Sequence, residues 1–553
     1  MNTRQAAPEP VLVLGNGPVG QTAALLLARW NVPVVLLDQR PERDPVGSKA
    51  ICQQRDVLDI WESVGAGNRI AEEGVTWTTA RTFYRNEELF SYSFDDPGQA
   101  HFPPFVNLSQ ARTEQVLDER IAAEPLIDVR WDHDVVGLEQ HAGGVTLTCS
   151  TSGGQAVVDG SWVLACAGAR GDAVRDMLGV TFGGHSFDDR FLICDIRTDM
   201  PDWADERRFY FDPSWNPGRQ VLIHPCPDST FRIDWQVPAD YDLKEEYLNG
   251  ALDARIRRII GDRPYDIVWK SLYRFHSRVV DRMRVGRVLL AGDCAHLVSP
   301  FGARGLNSGV QDAENAAWKL AFVLHGWADE ALLDSYHDER HAAARENLEV
   351  TGATMRFLVP QNDRDRLRRE EILDRACTDS GAWPEVDSGR LAEPYWYSGS
   401  PLTTLSDTLP RAARPPRGSA PRPGPGVLVP DVPIAAFGKG STRFREVARG
   451  GFLLLACGDI DERVVRQAAA TVTAAPVRLL HLDRVDRTGA LAAALQPSSD
   501  ELWIIRPDAH IAAVVPNPDY DTTTSALCRV TGEPLAPAPR RPETAPAPDF
   551  AGG

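Results

Sequence analysis

One short stretch near the N-terminus constrains this chain more than any other. Val11-Leu12-Val13-Leu14 is a compact apolar run of strand length, and Gly15-Asn16-Gly17-Pro18-Val19-Gly20 follows it at once. Gln21 to Trp30 then reads as a helix, and Val34-Val35-Leu36-Leu37 as a second buried strand ending in Asp38. That is one β-α-β unit, the start of a parallel sheet covered by helices. Each glycine has a reason. Gly15 allows the tight turn, Gly17 lets a pyrophosphate approach the backbone, and Gly20 lets helix and strand pack closely. Pro18 opens a helix whose free N–H groups, from Val19 and Gly20 onward, and partial positive charge hold phosphate. Asp38, with Gln39 and Arg40 beside it, is placed to accept hydrogen bonds from a ribose, so the motif predicts a dinucleotide site.

At 553 residues the chain exceeds what one hydrophobic core supports. Trp162 to Ala165 and Arg287 to Leu290 have the same buried-strand pattern as the first two strands, which makes the nucleotide domain discontinuous, 1–185 with 280–400. Between its halves, Phe231 to Val237 alternates apolar and polar residues, as a strand with one buried and one polar face does. With Val221 to His224 and Trp269 to Phe275 it predicts an inserted, largely antiparallel sheet over 186–279. Helices are expected from Asp312 to Gly326 and from Asp329 to Met355. Pro, Arg and Gly dominate 410–426, so 401–426 reads as a linker. Strands at Phe452 to Ala456, Val477 to Leu482, Leu502 to Ile505 and Ile511 to Val515 outline a small α/β domain over 427–540, followed by a disordered tail, 541–553.

Charge and cysteine content exclude several classes. The chain carries 77 acidic against 59 basic residues, a formal charge of -18, which repels nucleic-acid backbones and anionic membranes. Its Arg-rich run, 363–369, alternates with Asp and reads as a solvated helix face. Nine cysteines without a C-x-x-C pair argue against a disulfide framework or a metal site. No stretch approaches the ~20 apolar residues of a membrane span. A cytoplasmic monomer or homodimer is the expectation.

The second half identifies the nucleotide. A strand delivers Gly292-Asp293, a proline-containing turn follows, and Gly302 to Gly309 leads into a helix expected to begin near Gly309. Asp293 is placed to bind the polyol chain that FAD has and NAD lacks. The helix N-terminus after Asn307 would face the flavin edge on which negative charge settles. Gly292, Asp293, His296, Pro300, Gly302, Gly305, Asn307 and Asp312 together resemble the flavin motif of the group A FAD-dependent aromatic hydroxylases, the family of p-hydroxybenzoate hydroxylase and phenol hydroxylase. The likeness covers about residues 10 to 360. It further implies that Gln110 contacts the flavin polyol, that Lys49 lies near the adenosine end, and that Gly168, Gly305 and Leu306 line the cofactor.

The resemblance implies a fold and a reaction. The fold is α/β: a doubly wound, Rossmann-like FAD-binding domain, an inserted β-sheet substrate domain and a C-terminal thioredoxin-like domain. NADPH or NADH visits transiently, O2 adds to reduced FAD as a C4a-hydroperoxyflavin, and a phenolic or polyketide-type ring is hydroxylated. A Baeyer-Villiger or epoxidising flavoprotein has the same fold. Pro300 would set its carbonyl against the substrate hydroxyl, His296 would assist deprotonation, and Arg304 would raise the local potential. Tyr210, His224, Trp235 and Gln236 are the candidate substrate contacts. One departure stands out: the family's middle motif, Asp-Gly-Ala-Arg-Ser, reads Ala167-Gly168-Ala169-Arg170-Gly171 here, which bears on reduction by NAD(P)H and leaves a flavin-binding protein impaired in reduction as a further reading. Isolated Cys457 and Cys528 assign the C-terminal domain a structural or interaction role.

Overall fold

The computed structural model describes residues 9–47, 49–93, 100–386, 393–405, 422–437 and 440–533. The middle of the expected linker, 406–421, and the expected tail, 541–553, lie outside the described residues.

Val11–Leu14 pairs in parallel with Val34–Leu37 on one side and Trp162–Ala165 on the other. Ile127–Arg130 extends one edge and Val288–Leu290 the other, with Arg284–Val285 antiparallel at the rim. The order places the glycine turn at the C-terminal end of a central strand, where open parallel sheets bind ligands. All four residues of the first strand are buried, as helices on both faces require. The first helix, Pro18–Arg29, packs on the long helix Arg304–Leu324. A Cβ on Gly309 would come within 2.6 Å of Val19 Cγ2 and 3.1 Å of Gly292 Cα, so a glycine is what lets both helices meet the 292–293 turn. The long helix starts at Arg304, five residues before the expected Gly309, because Ala303 adopts a left-handed conformation (φ 55°) that redirects the chain into it.

The second sheet has Phe182–Arg197 between Asp266–Val280 and Thr230–Val237, then Gln220–Cys226, Glu206–Phe211, Thr79–Tyr84 and Glu87–Ser93. It is therefore not confined to 186–279. Residues 79–93 enter from the stretch expected to belong wholly to the nucleotide domain, because Thr79–Tyr84 pairs in parallel with Glu206–Phe211. His296–Leu297 joins the opposite edge.

The alternation in Thr230–Val237 also has a different meaning from the one expected. Phe231, Ile233, Trp235 and Val237 pack with Leu252, Ile256 and Ile260 of the helix Ala251–Ile260. The other face is covered too: Arg232 and Gln236 are buried, and Arg232 Nη1 donates to the Lys49 carbonyl of the nucleotide domain. Polar residues on this strand line an internal boundary rather than water.

In the C-terminal domain Phe452–Cys457 lies between Val477–His481, parallel, and Glu501–Ile505, antiparallel, with Ile511–Pro516 completing a hairpin. Helices Glu462–Val472 and Tyr520–Val530 pack together beside this sheet. The described ends of the expected linker are docked: Leu402 and Thr403 are buried, Thr404 N donates to Ala512 O at 2.8 Å, and Gly426 N to Ile511 O at 2.7 Å. The Arg-rich run is a solvated helix face except at Arg369, which is buried and donates to Leu358 O.

Candidate active site

Three backbone turns meet at one end of the parallel sheet. Gly15 (φ 99°) makes the first, and a Cβ there would come 2.4 Å from Cys166 O of the middle motif. A Cβ on Gly20 would come 1.9 Å from Gly15 O, so that glycine is required by packing. Around Gly17 and Gly168 a Cβ would meet nothing within 4 Å, so the turn opens onto free space there. Neither the first helix nor the long helix has a side-chain cap at its N-terminus, so both leave backbone N–H donors for another partner.

Asp293 stands between these turns. Its side chain is open to solvent, but the protein packed around the turn partly desolvates the carboxyl and pushes it up, while His296 and Lys49 pull it down. No described hydrogen bond reaches its carboxylate. Gln110 opens the helix Gln110–Ala122, accepts from Ala50 N at 3.2 Å and donates to Glu114 at 2.8 Å. Lys49 is exposed on the adjoining loop. Open space at Gly17 and Gly168, uncapped helix ends and an unengaged carboxylate suit a phosphate-bearing, polyhydroxylated cofactor such as FAD.

Several site expectations are corrected. Asp38 is saturated within the protein: Oδ2 accepts from Asn16 N at 2.7 Å and Arg40 Nη2 at 3.0 Å, and Oδ1 from Arg40 N and Nε, both at 2.9 Å. Burial pushes its carboxyl up, but these bonds more than offset that and leave it below its usual range. With four acceptor positions filled it fixes the turn instead of offering itself to a ribose. Arg40 is held by Asp38 with its guanidinium over Trp131, and Gln39 is exposed.

His296 is fully buried, and its Nε2 lies 2.7 Å from Asp312 Oδ2. The same carboxylate oxygen accepts from Gly292 N at 2.9 Å, and Oδ1 accepts from Arg340 Nε at 2.6 Å. His296 thus secures the 292–293 turn and does not face the cleft. Arg304 is also buried, donating to Asn347 Oδ1 at 2.8 Å on the helix Asp334–Leu358. Asn307 ties the long helix to the strand Cys52–Gln54, accepting from Gln54 N at 3.1 Å and donating to Cys52 O at 3.0 Å. Gly305 and Leu306 share the helix's first turn with it.

The four substrate candidates divide by strand parity. Tyr210 stacks on Phe83 at 4.5 Å, and Trp235 is fully buried; both belong to the core beneath the helix Ala251–Ile260, on the far side of the sheet. His224 and Gln236 lie on the opposite face. Burial, with Arg207 and Arg232 nearby, holds His224 well below its usual range and therefore neutral. Gln236 Nε2 donates to Asp189 at 2.5 Å. Sequence reasoning missed Phe301, which follows Pro300 and packs against Phe191, Phe209 and Phe275 at centroid distances of 5.6, 6.2 and 5.9 Å. Pro300 is exposed, and its carbonyl accepts from Ala303 N at 3.0 Å, leaving a second lone pair.

A nucleotide-binding sheet roofed by a second sheet, with an uncapped long helix between, is the frame of an FAD enzyme. A family model described as an FAD binding domain matches residues 9–351, and one described as the C-terminal region of aromatic-ring hydroxylases matches 422–534. A flavin-dependent monooxygenase of Mycobacteroides abscessus is 32% identical over 394 residues, 66% of this chain and 79% of the relative. A 3-(3-hydroxy-phenyl)propionate/3-hydroxycinnamic acid hydroxylase of Mycolicibacterium smegmatis is 26% identical over 91% of this chain and 90% of its own length. The fold matches the flavin-dependent monooxygenase PieE, solved with FAD and substrate, at a TM-score of 0.82 and 24% identity over 96% of this chain and all of that one. The chain belongs to the FAD-dependent aromatic hydroxylases, a family of flavoprotein monooxygenases.

Among the described residues no helix is long and apolar enough to cross a membrane, and no group of metal-ligating side chains is present.

Proposed function

We propose that this monooxygenase hydroxylates a phenolic or polyketide-type aromatic ring with O2, taking electrons from NADH or NADPH. The observation that carries this reading is the ring shelf at Pro300-Phe301, where Phe191, Phe209 and Phe275 from the roof meet the loop that follows Asp293. A flat apolar substrate gains from such walls, both by burial and by edge-on ring contacts.

Asp293, Gln110 and the backbone of Gly17, Val19, Gly168 and Gly305 to Asn307 would hold FAD. Bound there, it supplies the exchange of electrons with nicotinamide and oxygen. The chain's own residues orient the ring and exclude water, and the second lone pair of the Pro300 carbonyl is available to a substrate hydroxyl.

Anaerobic mixing of the FAD-loaded protein with NADH or NADPH, with and without candidate phenols, tests the reading. Faster bleaching with a phenol, and incorporation of one labelled oxygen from 18O2 into a ring hydroxyl, are expected. A ring-expanded lactone or an epoxide as product would replace the hydroxylase reading with that of another oxygenation.

A further inference from the structure

The roof face turned toward the nucleotide domain has a carboxyl at its centre to which the proposed reaction assigns no part. Asp234 lies on the strand Thr230–Val237 directly opposite Ile193 on one neighbour and Leu222 on the other. Beyond them, Ser271 pairs with Ile193 and Phe209 with Leu222, giving one row across the sheet. Residues directly opposite in an antiparallel pair share a face. Leu222 and Phe209 both belong to the ring cluster that Phe301 enters. Asp234 is thus set among the walls of the proposed substrate chamber. Its Oδ1 is buried and accepts no hydrogen bond. Arg232, two residues away on the same face, is engaged by Asp195 at 2.8 and 3.0 Å.

A carboxyl among rings with an open acceptor oxygen is costly until a donor reaches it. A second carboxylate at that point would raise the cost further. We propose that Asp234 determines specificity in the chamber, accepting a hydrogen bond from a hydroxyl of an uncharged aromatic substrate and disfavouring rings that carry a carboxylate there. The proposal rests on the reading of this roof face as the substrate wall.

Its pH signature follows from the surroundings. Burial pushes the Asp234 carboxyl up to about 7; Arg232 opposes this and Asp195 adds to it. Also on this face are His224, held neutral, the cation Arg207, Tyr273 and Tyr84, both raised by burial, and Asp189 beside Gln236, while the nucleotide domain brings Lys49 to Arg232 and Arg170 near Tyr273. Asp234 therefore changes charge near neutrality, and its repulsion of a ligand carboxylate is present above pH 7 and lost below it.

The test titrates FAD-loaded wild type and Asp234→Asn with resorcinol and with 3-(3-hydroxyphenyl)propionate from pH 6 to 9, reading the flavin absorbance. Wild type at pH 8 is expected to favour resorcinol by at least about ten-fold, the gap closing as pH falls. Asp234→Asn is expected to bind the propionate at least about ten-fold more tightly than wild type at pH 8 and to lose the pH dependence. Equal ratios and slopes in the two proteins, a wild-type preference for the propionate at pH 8, or no response of either protein to either probe would overturn the proposal. If the variant fails to hold FAD, the wild-type pH dependence of the two affinities decides alone. NADH oxidation without added ring is measured in parallel; its persistence leaves the monooxygenase reading standing when the specificity result fails.

Discussion

Arg506, at the turn of the C-terminal hairpin, crosses the domain boundary to form a two-pronged ion pair with Glu339, Nη1 to Oε1 at 2.5 Å and Nη2 to Oε2 at 3.0 Å. Both side chains are fully buried. Glu339 also accepts from Asn315 at 2.8 Å, and Asn315 donates to the Tyr397 hydroxyl at 3.2 Å. Arg340 donates to that hydroxyl at 3.0 Å and to Asp312, which holds Gly292 N. A continuous polar chain therefore runs from the C-terminal domain to the turn that carries Asp293.

Replacing Arg506 with Met leaves Glu339 buried without its main partner, a loss of about 3–5 kcal/mol for a broken buried pair. A lowered melting temperature is expected, together with weaker FAD binding, because the chain ends at Gly292. Thermal unfolding of apo and FAD-loaded protein, and an FAD titration, measure both. An unchanged FAD affinity would show that the boundary network is silent at the cofactor turn.

Acid acts on the same pair. Burial pushes Glu339 up, but Arg506 and Lys319 more than offset this and hold it far below its ordinary value of 4.5. The unfolded chain then binds the proton first, so the stability from this group is complete above pH 4.5 and falls as pH drops below it. Glu339→Gln is expected to be less stable than wild type at pH 7 and to show a shallower loss between pH 5 and 3, read by urea unfolding at each pH.

The two glycines of the first turn are expected to fail differently. Gly20→Ala puts a Cβ 1.9 Å from Gly15 O and should yield little folded protein. Gly17→Ala meets no protein atom within 4 Å, so it should fold normally yet bind FAD at least about ten-fold more weakly, its methyl standing where the pyrophosphate approaches. Circular dichroism and flavin fluorescence separate the outcomes.

Much of this was legible because glycine patterns answer to sterics that composition cannot mimic: the β-α-β unit and the Gly292-Asp293 turn sit where the sequence places them. Side-chain roles were less legible. Asp38 occupies its expected position, but only the folded turn reveals that Asn16 and Arg40 fill its acceptor sites. Alternation in Thr230–Val237 separates the two faces of the strand, but it does not say what covers each face, so it cannot tell Trp235, packed under a helix, from Gln236 on the nucleotide-domain side. Strands 79–93 are not legible in the sequence because their pairing with Glu206–Phe211 is long-range, and local pattern says nothing of it.

That parity yields a further expectation. Trp235→Phe should lower stability by about 1–3 kcal/mol through lost packing while leaving the affinity for an aromatic ligand unchanged. His224→Ala, on the opposite face, should alter that affinity with a smaller effect on stability. Ligand titration against melting temperature for both variants tests the assignment, and a reversed result would place the substrate under the helix Ala251–Ile260.

His296→Asn should leave the pH dependence of turnover unchanged while loosening FAD, since the imidazole serves Asp312 and not the ring. A steady-state pH profile with an FAD titration checks it; loss of an ionisation from the profile would restore His296 to the reaction.

Because the roof takes strands from residues 79–93 as well as from 182–280 and 296–297, its early and late pieces are far apart along the polypeptide. Swapping the central segment alone for that of a relative would join foreign strands to a resident edge, with mismatched side chains at the seam between Thr79–Tyr84 and Glu206–Phe211. A working chimera must transplant both pieces together, and natural divergence in ligand choice within this architecture must keep two remote stretches in step.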